Sequence, residues 1–223
     1  MSDTGFELVV FDGDDTLVAD DVIEALAERA GVADEIEGVH DRVWNGDLEP
    51  MEALGEQIFP LFEGLSAAAV QDVVEDRAFT PGAREVGRRV ACDSAVFTSI
   101  DPHAERIAAA VGAEHYRANT PVMEDGRLTG ELRGQIVEEG KGPTLDALLD
   151  ELEVAPEATI VVGDGPQDVP MFERAGFAIG VDPKPAAREH VDVAVDERDI
   201  FLVEPYLAER GVLRAADTAR KPE

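Results

Sequence analysis

The chain has 223 residues, 49 acidic against 19 basic, for a formal charge of −30. With 44% apolar residues it can bury a sizeable core and is no disordered acidic tail, and its acidity excludes nucleic acid and anionic membrane as partners by repulsion. A single cysteine, Cys92, excludes an internal disulfide and a thiolate-rich metal site.

The opening residues MSDTGFELVV place no basic region ahead of an apolar run, so no signal peptide is expected. No apolar stretch reaches the ~20 residues of a membrane span. A cytoplasmic protein is the expectation. FELVVF (6–11) is a continuous apolar run of the kind a buried parallel strand requires, and it ends in a cluster of Asp, Gly and Thr. Residues 19–80 break the rhythm. DDVIEALAERAG, EIEGVHDRVWNG, MEALGEQIFPLF and AAAVQDVVED are four helical patterns with no strand between them, which predicts a small helical bundle inserted over the mouth of a sheet. Pro81-Gly82 marks the return to the main domain. Helical patterns then follow at 82–91, 102–112, 142–153, 167–175 and 199–210, alternating with the strand candidates SAVFTS (94–99), ATIVVG (158–163), GFAIGV (176–181) and VDVAV (191–195). VMEDGRLTGELRG (122–134) alternates around Asp125-Gly126, a hairpin turn signal. The alternation predicts a doubly wound, Rossmann-like α/β parallel sheet from residues 1–18 and 81–223, with 19–80 as an inserted helical cap. Ligands of such sheets bind beyond the carboxyl ends of the strands.

Two acidic clusters fall at those ends. Asp12-Gly13-Asp14-Asp15-Thr16 follows the first strand, and carboxylates at i and i+2 on a loop can attack, transfer a proton or hold a hard cation. Gly163-Asp164-Gly165-Pro166-Gln167-Asp168 follows ATIVV and opens a helical pattern. Asp164 stands at a strand tip suited to a divalent cation, with Asp168 four residues on to support it. An N-cap would explain one such cluster, but two flanking one crevice suit a metal site. Thr98-Ser99 and Lys141 add a hydroxyl and an ammonium that match a phosphoryl group. Of the basic residues 16 are Arg and three are Lys (Lys141, Lys184, Lys221), a skew that suits a salt-rich cytosol and singles out Lys141. The four histidines (His40, His103, His115, His190) show no pair at zinc-ligand spacing.

FDGDDT, FTS, Lys141 and GDGPQDVPMFERAG resemble, in order and spacing, the four signature motifs of the haloacid dehalogenase-like phosphatases. Within that superfamily the chain is most similar to the phosphoserine phosphatases, through DDVIEALAERAGV and WNGDL, the hairpin EDGRLTGE and GFAIGVDPKPAAREHVDVAV. The resemblance implies a Mg²⁺-dependent phosphomonoesterase of a small phosphorylated metabolite, O-phospho-L-serine foremost, existing as monomer or homodimer. It implies Asp12 as nucleophile forming an aspartyl-phosphate, and Asp14 as acid and then base. Mg²⁺ would lie between Asp12, the Asp14 backbone carbonyl and Asp164. Ser99 and Lys141 would hold phosphate oxygens, with Gln167 and Asp168 beside them and Asp21 meeting the substrate's amino group.

Some positions depart from the family pattern. Gln57 stands where the family has a cap arginine for the substrate carboxylate, with Arg42 nearby on another helix. Ile100-Asp101-Pro102 replaces two glycines, and Gln167 an asparagine. Another small phosphorylated acid or alcohol fits the same chemistry, as does a phosphotransferase or mutase that returns the phosphoryl group to substrate. A phospho-accepting receiver is disfavoured by the early D-x-D-x-T motif and the insertion.

Overall fold

The computed structural model of the chain describes residues 5–215, so residues 1–4 of the opening segment and Lys221 lie outside the described residues. The strands are β1 (Leu8–Asp12), β2 (Asp93–Ile100), β3 (His115–Glu124), β4 (Arg127–Arg133), β5 (Thr159–Gly163), β6 (Phe177–Val181) and β7 (Val193–Val195). They form one sheet in the order β4-β3-β2-β1-β5-β6-β7, parallel except for the β3–β4 hairpin. After β1 the chain adds β2 on one side and later β5 on the other. The carboxyl end of β1 is therefore the crevice where the strand order reverses.

Alternation along β1 explains why the sheet is covered twice. Val9 and Phe11 join an apolar cluster with Val96, Ile107, Ile160 and Leu207. Leu8 and Val10 face the other way, against Phe97, Leu145, Leu148, Met171 and Phe172. Such strands read as unbroken apolar runs because both faces are buried.

Helices α1 (Val22–Ala30), α2 (Ala33–Trp44), α3 (Pro50–Glu52) and α4 (Ala67–Asp76) belong to the insertion. The third helical pattern is broken: after α3 the chain winds through looser and then tighter turns at Ala53–Ile58 and Phe59–Phe62, where Pro60 has no N–H to continue a regular helix. Leu26, Ile36, Phe59, Phe62, Val70 and Val74 form the insertion's apolar cluster, together with Ile100, Leu128 and Leu132 from β2 and β4. The hairpin is thus the floor on which the insertion rests, tied by Gly64 N–H to Leu128 O and Leu128 N–H to Leu65 O, both 2.8 Å. The two crossings between insertion and sheet run side by side, with Ala19 N–H to Ala78 O at 2.9 Å and Thr80 N–H to Leu17 O at 3.0 Å.

Around the sheet lie α5 (Ala83–Gly87), α6 (Asp101–Val111), α7 (Gln135–Glu139), α8 (Lys141–Leu152), α9 (Val169–Phe172), α10 (Pro185–Arg188) and α11 (Glu204–Glu209). The helix expected over 82–91 is shorter, ending at Gly87, which packs against Val111 so closely that a Cβ would lie 2.7 Å from the valine Cβ. β3 begins at His115, earlier than the hairpin signal suggests, and its first half pairs parallel with β2. No helix among the described residues is long and apolar enough to cross a membrane.

Candidate active site

Asp12 ends β1, 1% exposed. Its Oδ1 accepts from Gly13 N–H at 2.7 Å and from Lys141 Nζ at 2.6 Å. Its Oδ2 is buried with no hydrogen-bond partner among the described residues. Lys141 opens α8 and is 5% exposed; its Nζ also donates to Asp168 Oδ1 at 2.7 Å. The other oxygen of Asp168 accepts the N–H groups of Asp164 and Gly165, both at 3.1 Å, which folds the β5 loop back on itself. Gly163 is required there, since a Cβ would sit 2.6 Å from Asp168 Oδ2. Burial, then the charge of Asp168, pushes the Asp12 carboxyl well above its ordinary value, and Lys141 opposes this. Burial acts to lower the ammonium of Lys141, but Asp12 and Asp168 outweigh it and hold Lys141 above the usual lysine range.

Carboxylate oxygens of Asp12, Asp164 and Asp168 all lie within 4.8 Å of one another, and all three residues are buried. Such a hard oxygen set can coordinate a divalent cation. The residues fit one: Asp12 Oδ2 and Asp164 Oδ1 are buried without hydrogen-bond partners, and burial raises the Asp164 carboxyl to about 6 against the pull of Lys184. Both Asp168 oxygens are already engaged, so Asp168 buttresses the cluster.

Asp14 turns its side chain elsewhere. Oδ1 accepts Val22 N–H at 3.0 Å, and Oδ2 takes the hydroxyls of Thr98 at 2.6 Å and Ser99 at 3.2 Å. Burial raises this carboxyl, yet the neighbouring His103 imidazole, Thr98 and the Val22 amide together hold it below the ordinary carboxylate range. The side chain is not in the trio of buried carboxylates that could hold a cation among the described residues.

One crevice is lined by Asp12, Asp14, Asp21, Ser99, Lys141 and Gln167, and it also takes in Thr98, Asp15 and Lys184. Asp21 caps α1, its Oδ1 accepting Ile23 N–H at 2.6 Å, and burial followed by the charges of Asp14 and Asp15 raises its carboxyl well above the ordinary value. The apolar wall comes from the insertion, through Ile23, Val43, Met51, Leu54 and Ile58, with Ile136 from α7. Gln57 is not in the lining; its Oε1 accepts from Arg42 Nη1 at 2.7 Å on an exposed face.

Sequence reasoning missed several residues. Lys184, which the scarcity of lysine alone did not single out, reaches the site: its Nζ lies 3.0 Å from Asp164 Oδ2 and 3.1 Å from Asp15 Oδ2. Asp15 holds a left-handed backbone at φ 56° and pairs with Arg198 Nη1 at 2.6 Å, which also donates to Ala19 O at 2.5 Å on the crossing to the insertion. Asn119, fully buried on the unforeseen half of β3, donates to Ser99 O at 2.9 Å and accepts Val137 N–H at 2.8 Å. It joins the β2 tip to α7, the element just before Lys141.

A model of the haloacid dehalogenase-like hydrolases matches residues 9–173. A phosphoserine phosphatase of Halobacterium salinarum is 38% identical over 202 residues, covering 86% of this chain and 93% of that one. A phosphoserine phosphatase of Methanocaldococcus jannaschii is 29% identical over 206 residues, covering 90% and 97%. A solved substrate-bound phosphoserine phosphatase complex superposes with a TM-score of 0.82 at 28% identity, covering 90% of this chain and 98% of that one. A phospho-aspartyl intermediate analogue of a phosphoserine phosphatase superposes equally well, at 0.82 and 29% identity. With the acid clusters, the lysine and the reversal point of the sheet all meeting at one crevice, the chain belongs to the haloacid dehalogenase-like hydrolases, as an enzyme closely related to the phosphoserine phosphatases.

Proposed function

We propose that the protein is a Mg²⁺-dependent phosphoserine phosphatase working through an aspartyl-phosphate. The observation that carries this reading is the state of Asp12. One oxygen is held by Lys141 and Gly13 N–H, and the other is buried without a hydrogen-bond partner among the described residues, in a side chain that lines the crevice. An Asp12 carboxylate oxygen attacks phosphorus as the ester P–O bond breaks, and Asp14, once protonated, gives its proton to the leaving alkoxide. Water then attacks phosphorus, Asp14 takes its proton, and the Asp12–phosphorus bond breaks. Lys141 and Ser99 bind the remaining phosphate oxygens, with Gln167 at the rim and Asp168 fixing Lys141. Asp12, the Asp14 carbonyl and Asp164 would hold Mg²⁺, which when bound neutralises phosphate charge. Asp21 meets the ammonium group of the substrate, and its raised pKa falls once that cation is beside it. The insertion at 19–80 serves as a cap whose apolar wall excludes bulk water over the core formed by the rest of the chain.

A second reading within the same chemistry is favoured by one observation. Arg42 and Gln57 bond to each other outside the crevice, so among the described residues no arginine lines it to pair with a carboxylate. Another small amine-bearing phosphomonoester would fit as well.

Asp12→Asn in saturating Mg²⁺ should abolish phosphate release, a loss of at least about 10⁴-fold as expected for a missing nucleophile. Phosphate release near the wild-type rate would remove the assignment. A panel of phosphorylated metabolites separates the two substrates: kcat/KM highest for phosphoserine supports the first reading, and a preference for carboxylate-free amines the second.

A further inference from the structure

His103 lies in the first turn of α6 with its side chain fully buried. Its Nε2 is 3.1 Å from Asp14 Oδ1, a close polar contact, and neither ring nitrogen has a hydrogen-bond partner among the described residues. A histidine placed only to fill the core would bury a polar ring to no purpose, since an aliphatic side chain fills such a space without desolvating nitrogen. Here the imidazole meets the carboxylate on the side opposite Thr98 and Ser99, which hold the other oxygen. The approach depends on Gly13. A Cβ there would lie 2.7 Å from Thr98 Cβ and 3.1 Å from Ile107 Cδ1, so the bare glycine lets β2 and α6 close onto the loop. That closeness brings His103 to Asp14.

We propose that His103 is a positioning residue for Asp14, holding its carboxyl in the one orientation from which it passes a proton to the leaving oxygen and later takes one from water. The inference rests on the phosphatase reading above. Val22 N–H, Thr98 and Ser99 hydrogen-bond the two oxygens, and the buried imidazole packed against Oδ1 keeps the carboxyl from turning out of that geometry, so its loss costs rate without weakening substrate binding.

The test compares His103→Leu, which keeps bulk without the nitrogen, with His103→Gln, which keeps a polar N–H. Each is assayed in saturating Mg²⁺ with phosphoserine and with p-nitrophenyl phosphate, whose leaving anion needs no proton. In His103→Leu, kcat for phosphoserine should fall about 10- to 100-fold, the usual cost of removing a residue that orients a functional group, with KM little changed. With p-nitrophenyl phosphate the first turnover should keep its wild-type rate while later ones slow, giving a burst of p-nitrophenolate approaching one per site. His103→Gln should restore most of kcat. Wild-type kcat in His103→Leu, or an equal first-turnover loss with both substrates, would overturn the proposal. If the leucine variant does not fold, His103→Gln carries the same comparison: near-normal kcat is expected, and a loss that is equal for both substrates overturns it. Wild-type phosphate release in the same assays reports separately on the phosphatase reading.

Discussion

Lys141 and Lys184 each bridge two aspartates across the crevice, yet they sit in different surroundings. Lys141 is 5% exposed, on the core side, and joins Asp12 to Asp168 at 2.6 and 2.7 Å. Lys184 has a side chain 32% exposed and joins Asp164 to Asp15 at the longer distances of 3.0 and 3.1 Å. The first lysine is almost wholly shielded from water and makes two short, charge-assisted bonds. The second shares Asp15 with Arg198, so its loss leaves that aspartate with a cation. Of the two, only Lys141 touches Asp12, the proposed nucleophile. The difference teaches that charge compensation in this acidic chain is graded, strict where the carboxylate must react and looser where the sheet meets the insertion.

The largest effect should therefore come from Lys141→Met. Losing a buried donor aimed at developing phosphate charge costs about 10²- to 10³-fold in kcat, and it leaves Asp12 and Asp168 facing each other unpaired. Lys184→Met should cost about 10- to 100-fold at saturating Mg²⁺, since it orients Asp164 from outside the reacting atoms. Steady-state phosphate release from both variants measures the gap, and equal losses would erase the distinction.

That contrast marks what the sequence could disclose. The ends of β1, β2 and β5 were legible because each is an apolar run stopped by Asp, Gly, Ser or Thr, a pattern that needs no knowledge of the partner strand. Lys141 was legible through the scarcity of lysine. Lys184 was not, because Asp15 is 169 residues away and nothing local in DPKPAA points to it. His103 was hidden for a similar reason: in DPHAERIAAAV one histidine on an amphipathic helix reads as ordinary surface or core, and only the tertiary approach to Asp14 gives it meaning. The front half of β3 was missed because HYRAN alternates poorly and is half exposed, so pairing with β2 overrides a weak local signal. The helix end at Gly87 and the break in regular winding at Pro60 follow from close packing and a missing N–H, which periodicity does not weigh.

A smaller effect separates the two lysines by pH. Both ammonium groups are raised in the folded protein above the ordinary 10.5, because their aspartate partners outweigh burial. A group raised on folding contributes stability that is complete below its unfolded value and is lost as pH climbs through the folded one. Wild-type melting temperature should thus decline as pH rises above about 10.5 toward those raised values. Lys141→Met should show a flatter decline than wild type, and Lys184→Met one between the two, because solvent screens the more exposed pair. Melting curves at stepped alkaline pH measure this, and identical slopes in all three proteins would mean that neither bridge stabilises the fold.

The smallest expected effect lies farthest from either lysine, at Arg42 and Gln57. Their 2.7 Å hydrogen bond is exposed, and neither lines the crevice. An exposed pair of this kind shifts stability by about 0.5 kcal/mol or less, so Arg42→Ala and Gln57→Ala should leave the melting temperature nearly unchanged and kcat/KM for phosphoserine within about twofold of wild type. The informative control is a decarboxylated substrate, phosphoethanolamine. If Arg42 swings from Gln57 to the substrate carboxylate when the insertion closes, Arg42→Ala will raise KM for phosphoserine and leave phosphoethanolamine unchanged. Equal behaviour toward both would keep Arg42 outside the site. Recognition would then rest on phosphate and ammonium alone, at Lys141, Ser99 and Asp21, and the lower demand on this edge of the crevice would extend the gradient already seen between the two lysines.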